Sequence, residues 1–178
     1  MFSCYDNTHA RENILMEELI KRLDKPNIRV KTKDKVPQML DWVNYIEKQS
    51  VQELLKENGE YGLRTGNKIG NYWFCCLDLD KRGWTTIFKS WQSYIKTFRG
   101  IHVYCLIGGK EPPSNSILYY RGKRIGDLLS KGKQVIGVGS KHVSGITYQL
   151  VKNGKWFMKF ESVEELREKL GKWGVELR

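Results

Sequence analysis

The tetrapeptide Leu77-Asp78-Leu79-Asp80 is the stretch of this sequence best equipped for chemistry. On a β-strand, residues i and i+2 face the same side, about 6.6 Å apart along the chain. Both carboxylates then point one way while Leu77 and Leu79 point into a core. If the acid groups converge to about 4 Å, their repulsion is about 4 kcal/mol at an effective dielectric near 20. A proton, a Lys or Arg partner, or a divalent cation must offset it, and an oxygen-rich set suits Mg²⁺ or Mn²⁺. An isolated Asp-x-Asp is more often a strand end whose acids face water or pair with neighbours such as Lys81 and Arg82. Asp127 shifts that balance. It is the sole acid among nine Lys/Arg between Glu111 and Glu161, at the end of a predicted strand. A third carboxylate there could complete a two-metal site of the kind used in nucleotidyl transfer. The alternative is a turn or N-cap aspartate after Gly126.

The charge around these acids is uneven. The chain of 178 residues carries a net charge of +11. Residues 1–60 hold 10 Lys/Arg against 11 Asp/Glu, and residues 61–178 hold 21 against 9, so the second part carries all the excess. A basic surface of this kind attracts polyanions, of which nucleic acid is the usual one, and it predicts salt-dependent binding. The longest apolar run, near Trp73–Leu77, is far too short to cross a bilayer, so no membrane association is expected. The N-terminus lacks the basic start and apolar core of a secretory signal. Cys4, Cys75, Cys76 and Cys105 form no CxxC pair, which argues against a zinc site. The last three lie in apolar runs and read as buried thiols of a reducing cytoplasm.

The elements that must position the acids can be read from periodicity and punctuation. Met16, Leu19, Ile20 and Leu23 recur at helical spacing. A basic loop is expected from Lys25 to Pro37. Ser50-Val-Gln-Glu53 is a capping-box pattern, and Asn58-Gly59 closes that helix. Strands are predicted at Tyr61–Thr65, Tyr72–Leu79, Ile101–Ile107, Ile117–Tyr120, Arg124–Leu129, Gln134–Val138, Ile146–Val151 and Trp156–Phe160. A crossover helix over Thr85–Phe98 would bury Ile87, Trp91, Tyr94, Ile95 and Phe98 and end at Arg99-Gly100. Ser162-Val-Glu-Glu165 opens a last helix with Val163, Leu166 and Leu170 inward. The class is α+β, in one domain: an N-terminal helical portion (1–70) and a strand-rich portion (71–178).

Four stretches in this order resemble the bifunctional DNA primase/polymerase N-terminal domain, the prim-pol branch of the archaeo-eukaryotic primases. They are Lys35-Val-Pro37 with Trp42; Gly62-Leu-Arg-Thr-Gly66 running on to Leu77-Asp78-Leu79-Asp80; Thr97-Phe-Arg-Gly-Ile-His102-Val-Tyr; and Gly126-Asp127 followed by Gly137-Val-Gly-Ser140-Lys-His142-Val-Ser-Gly145-Ile-Thr-Tyr148. They span about residues 35–150. Ile101 directly follows Gly100, and Val138 stands where the family often has proline. The resemblance implies an RRM-like antiparallel catalytic sheet packed with an N-terminal α/β unit, and an active site in the cleft between them. It implies that Asp78, Asp80 and Asp127 are catalytic and hold Mg²⁺ or Mn²⁺, and that His102 contacts the phosphates of an incoming NTP or dNTP. Larger members continue into a helicase or accessory helical domain. The expectation here is a chain that extends primers better than it starts them, or one that works with a separate helicase or accessory replication protein.

Around that frame Arg99 is placed in sequence to hold phosphates. Ser140 and His142 lie in a Gly-rich turn whose N–H groups could cradle an anion, or which is only a hairpin turn. Thr65-Gly66 either lets backbone approach a nucleotide closely or ends a strand. Tyr119, with Arg121, Lys123 and Arg124, is a candidate for contact with a DNA template and primer, whereas Trp73 and Trp91 read as core. Rival readings are a non-catalytic RRM-like nucleic-acid-binding module, which needs none of the acids, and a metal nuclease, which uses them without triphosphates.

Overall fold

The computed structural model describes residues 4–84, 86, 92–152 and 154–178, with the side chains of residues 4–10 outside that description. In chain order the elements begin with helix α1 (Cys4–Leu23), strand β1 (Arg29–Val30), the short strands β2 (Thr32–Lys33) and β3 (Val36–Pro37), helix α2 (Val51–Asn58), and strands β4 (Gly62–Arg64), β5 (Asn67–Ile69) and β6 (Tyr72–Leu79). A 3-10 turn at Arg82–Trp84 precedes β7 (Tyr94–Lys96) and β8 (Ile101–Ile107). Then follow β9 (Ser116–Tyr120), β10 (Lys123–Leu129), β11 (Gln134–Ile136), β12 (Gln149–Val151), β13 (Met158–Phe160), helix α3 (Val163–Gly171) and β14 (Val175–Leu177). This is α+β with a mostly antiparallel sheet. No described helix is long and apolar enough to cross a membrane.

The large sheet runs β12-β7-β8-β6-β10-β9-β14, antiparallel along that whole path. Strand β5 adds to β6, and β13 runs parallel to the far half of β8. The alternation of β6 divides two cores. Cys75, Leu77 and Leu79 face one side, where Val103, Cys105 and Leu128 join them against Leu166 and Leu170 of α3. Phe74 and Cys76 face the other, where Tyr104 packs with Leu19 and Leu23 of α1, Leu54 of α2, and Tyr61. Every one of these is essentially removed from water, so truncating Leu77 to alanine costs about 3 kcal/mol. Cys75, Cys76 and Cys105 are buried free thiols, and burial raises all three above the usual thiol value.

Local chemistry explains the helix ends. Ser50 Oγ accepts from Glu53 N at 3.3 Å while Ser50 N donates to Glu53 Oε2 at 2.6 Å, and Gly59 closes α2 at φ 71°. Ser162 caps α3 in only one direction: its Oγ accepts from Glu165 N, but the Glu165 carboxylate accepts from Glu161 N instead of from the cap itself.

Three expectations change. The loop from Lys25 to Pro37 contains β1 and a β2–β3 hairpin. The helix expected over Thr85–Phe98 does not reach its end: Tyr94–Lys96 is strand β7, paired with β8 and β12. Arg99-Gly100, read as a helix stop, is instead the turn between β7 and β8, with Thr97 N donating to Gly100 O at 3.1 Å and Gly100 N to Thr97 Oγ1 at 3.0 Å. Ile87 and Trp91 lie outside the described residues. Finally, β11 leaves the strand-rich portion to pair with β4, making a separate sheet β1-β4-β11 beneath α1 and α2.

Candidate active site

Strand register brings the acids together. Asp78 on β6 lies opposite His102 on β8 and opposite Asp127 on β10. Residues paired in this way have Cβ atoms about 5 Å apart on one face of the sheet. Asp80 is one step further along that face. The face is the one that carries Phe74 and Cys76 into the core with α1 and α2, so the acids sit where that core runs out. Two glycines allow the arrangement. A Cβ at position 100 would collide with the Leu79 carbonyl oxygen, and a Cβ at position 126 with the Asp78 carbonyl oxygen. The end of β6 is thus gripped from both sides by backbone that tolerates no side chain. Just before Gly126 the β10–β9 register shifts by one residue between Arg124 and Gly126, a bulge that re-aims the strand beside the acids.

The electrostatics follow from this crowding. Burial pushes the Asp78 carboxyl above the usual carboxylate value; His102 acts against that rise, while the nearby charges of Asp80 and Asp127 add to it. His102 Nε2 stands 3.5 Å from Asp78 Oδ1. The imidazole is buried, which lowers its pKa; Asp78 opposes that shift and Lys35 reinforces it.

In front of Asp78 and Asp80 opens a cleft of about 380 Å³, also lined by Lys35, Arg99, His142 and Tyr148. Lys35 occupies the tip of the β2–β3 hairpin, where Asp34 and Lys35 both take positive φ, 52° and 67°. A two-residue loop with both residues left-handed matches the twist of a hairpin, but it suits Asn-Gly far better than Asp-Lys. The strain is held by two long-range contacts: Lys35 N donates to Glu60 Oε1 at 2.9 Å, and Gln134 Nε2 donates to Lys35 O at 2.8 Å. Across the cleft the His142 ring stacks on Phe98 with centroids 4.6 Å apart. Ser144 N donates to His142 Nδ1 at 3.1 Å, so in the neutral ring the proton sits on Nε2. Burial, and then the charges of Lys35 and Arg99, lower its pKa and favour that neutral donor form.

The structure therefore brings Asp78, Asp80, Arg99 and His142 to one cleft, and sets Asp127 beside Asp78 at the rim of a second groove. His102 is close but is not at the surface. It lies behind Asp78, buried, with Nε2 3.5 Å from Asp78 Oδ1, while His142, Arg99 and Lys35 line the cleft itself. Thr65, Gly66 and Ser140 are placed in the interior and do not line the cleft. Thr65 Oγ1 donates to Ser130 O at 2.6 Å, and a Cβ on Gly66 would strike the Lys131 backbone. Ser140 Oγ accepts from Tyr61 N at 3.1 Å in a fully buried position. The two hydroxyls satisfy buried backbone groups, and Gly66 allows the close approach of the Lys131 backbone. Of the template candidates, Tyr119 shares the face of Asp127, Arg121 and Lys123 lie at the exposed β9–β10 hairpin, and Arg124 Nη2 holds Asp127 Oδ2 at 2.6 Å. Lys35 is the residue that sequence reasoning passed over as a ligand, although it opened the first of the matching stretches.

Hard carboxylate oxygens on one face, one of them raised in pKa by burial and then by two neighbouring acids, are a donor set suited to Mg²⁺ or Mn²⁺. The side chains do not form a closed cage: among the described residues no group of three His, Cys, Asp or Glu converges on one point. Asp127 is turned toward Arg124, whose side chain is half exposed and free to rotate away. No protein-family model matches this chain, and no curated protein sequence matches it either.

Proposed function

We propose that the chain is a template-dependent nucleotidyltransferase of the primase-polymerase kind, adding NTPs or dNTPs to a primer on DNA. The observation that carries this reading is the register that sets Asp127 opposite Asp78, with Asp80 on the same face and a cationic cleft directly in front. Lys35 and Arg99 offer fixed positive charge to a triphosphate, and His142 offers an Nε2–H donor. Together they would hold the chain of phosphates in line with an attacking 3′-hydroxyl. Asp78, Asp80 and Asp127 would hold Mg²⁺ or Mn²⁺, whose chemistry when bound is to stabilise charge on the attacking and departing oxygens. His102, fixed behind Asp78, keeps that carboxylate aimed. The antiparallel sheet with a helical unit against one face supports the RRM-like arrangement that the sequence resemblance implies.

A non-catalytic nucleic-acid-binding module is the second reading. The Arg124–Asp127 ion pair favours it, since a salt-bridged aspartate needs no metal. Extension of a labelled primer on a DNA template with Mg²⁺ or Mn²⁺ separates the readings. The polymerase reading requires incorporation that is lost in Asp78→Asn and Asp80→Asn while DNA binding is kept. Binding without incorporation in the unaltered protein selects the module. Degradation of the primer without triphosphates selects a nuclease.

A further inference from the structure

The face that carries the acids is covered on one side and open on the other. Over β8 and β6 as far as Cys76 it is sealed by α1, α2 and Tyr61. Over β10, β9 and β14 it stays accessible, with Ile117 38% exposed. One cross-strand row runs through both regions: His102, Asp78, Asp127, Ile117 and then Arg178, whose backbone exchanges two hydrogen bonds with Ile117 at 2.7 and 2.9 Å. Beside this row lies a second groove of about 380 Å³, lined by Asn115, Ile117, Asp127, Leu129, Lys133 and Arg178. The carboxylates therefore stand between two cavities, with Asp78 and Asp80 facing one and Asp127 facing the other.

The cavities differ in chemistry. The cleft concentrates Lys35, Arg99 and an imidazole donor, which suits a compact run of phosphates. The groove has an apolar floor of Ile117 and Leu129 with cations at its margin. Tyr119, two residues from Ile117 and hence on the same face, lies under the Arg178 guanidinium at 4.7 Å. Glu176 Oε2 accepts from Arg178 Nη2 at 2.6 Å and takes part of that charge, while it also fixes the guanidinium over the ring. The wall is rigid as well. Asn115 Oδ1 accepts from Ser130 N at 2.7 Å, and its Nδ2 donates to Lys131 O at 3.0 Å. An apolar floor, an aromatic platform and spaced cations make a surface on which sugars and bases of a strand lie with phosphates at the edge.

We propose that this groove seats the acceptor strand, a single-stranded oligonucleotide end, with its terminal hydroxyl delivered to Asp127, separately from the triphosphate in the cleft. The assignment rests on the nucleotidyltransferase reading for the word acceptor, but not for the binding itself. Two strand spacings, about 10 Å, separate Asp127 from Arg178, so the strand's end and a preceding phosphate can be engaged together.

Anisotropy of a 5′-labelled single-stranded oligonucleotide, without metal or triphosphate, tests it. The Lys133→Ala/Arg178→Ala double variant is expected to bind about tenfold more weakly and to reduce the slope of log affinity against log salt by roughly 2. Tyr119→Ala is expected to lose about tenfold through stacking. Excess nucleoside triphosphate leaves the bound fraction unchanged, and Arg99→Ala binds as the unaltered protein does. Unchanged affinity in the double variant, or displacement of the oligonucleotide by triphosphate, overturns the assignment. In extension assays the double variant should raise KM for the primer and leave KM for the triphosphate alone; an equal rise in both overturns it too. If the unaltered protein binds the strand through these residues and never extends it, the strand site stands and the polymerase reading falls. If it extends while the variants keep full primer affinity, the groove assignment falls alone.

Discussion

Asp78 and Asp127 are direct neighbours across two strands and both are half-buried, yet they keep different partners. Asp78 stands at the margin of the covered part of the sheet face, with a buried imidazole behind it and its pKa driven up by lost hydration. Asp127 belongs to the open part, where an exposed arginine holds it. The comparison teaches that one sheet face can supply two kinds of acid: one backed by a buried imidazole, the other paired with an exposed arginine. On the proposed reading, such a boundary would separate a gripped triphosphate from a strand that must slide.

The largest effect that could break this comparison is catalytic. Replacing Asp78 with Asn should lower nucleotide incorporation by about a thousandfold or more, since each acid of such a site is worth several kcal/mol in the transition state. Steady-state extension rates read it, and a loss under tenfold would remove Asp78 from the chemistry. Next in size are the glycines. Gly100→Ala and Gly126→Ala each force a methyl into the backbone of β6 and should cost about 3 kcal/mol or more by urea unfolding. A cost below about 1 kcal/mol would mean that the strands do not approach as described.

A smaller prediction concerns pH. Burial lowers the His102 pKa below its value in the unfolded chain. The unfolded chain then takes up a proton that the folded chain refuses. The associated stability is complete above about pH 6.5 and is lost as pH falls through that value. Asp78 has the opposite sign. Its raised pKa means the folded chain keeps a proton that the unfolded chain releases, so its contribution shrinks as pH rises from about 3.9 through the folded value. His102→Gln, which keeps a donor for Asp78 but cannot titrate, should flatten the melting temperature between pH 7 and pH 5. An unchanged slope would place the titration elsewhere.

The smallest effects sharpen the contrast between the acids. Asp78→Asn should stabilise the metal-free protein at pH 7 by about 0.5 kcal/mol, because like charges directly across strands repel. In a chain of this length that is about 1–2 °C in melting temperature. Arg124→Ala, which releases Asp127, should tighten Mn²⁺ binding about two- to fivefold in a titration followed by electron paramagnetic resonance. Weaker binding would show that Arg124 supports the acid instead of restraining it.

Much of this was legible from local pattern. The bounds of β6 and β8, the cap at Ser50 and the left-handed Gly59 follow from alternation, capping chemistry and glycine's tolerance of positive φ, all of which act over a few residues. The stretch before Gly100 misled because Tyr94, Ile95 and Phe98 fit a helical face as readily as a strand running into a turn, and only pairing with β8 decides between them. The placement of Thr65, Ser140 and His102 was not legible for a related reason. A polar side chain in a suggestive motif has the same sequence whether it faces a ligand or satisfies a buried partner, and the partners lie 65, 79 and 24 residues away.

What the chain alone determined was the set of parts: strand-borne acids at i and i+2, a lone aspartate in a basic tract, and glycines beside each. Those are properties of neighbouring residues. Only the tertiary structure decided that Asp127 pairs with Asp78, that Lys35 reaches the cleft on a strained hairpin, and that the acids divide two cavities. Each of these depends on strand register and burial over tens of residues, which are set by the packing of the whole sheet and are written in no single segment.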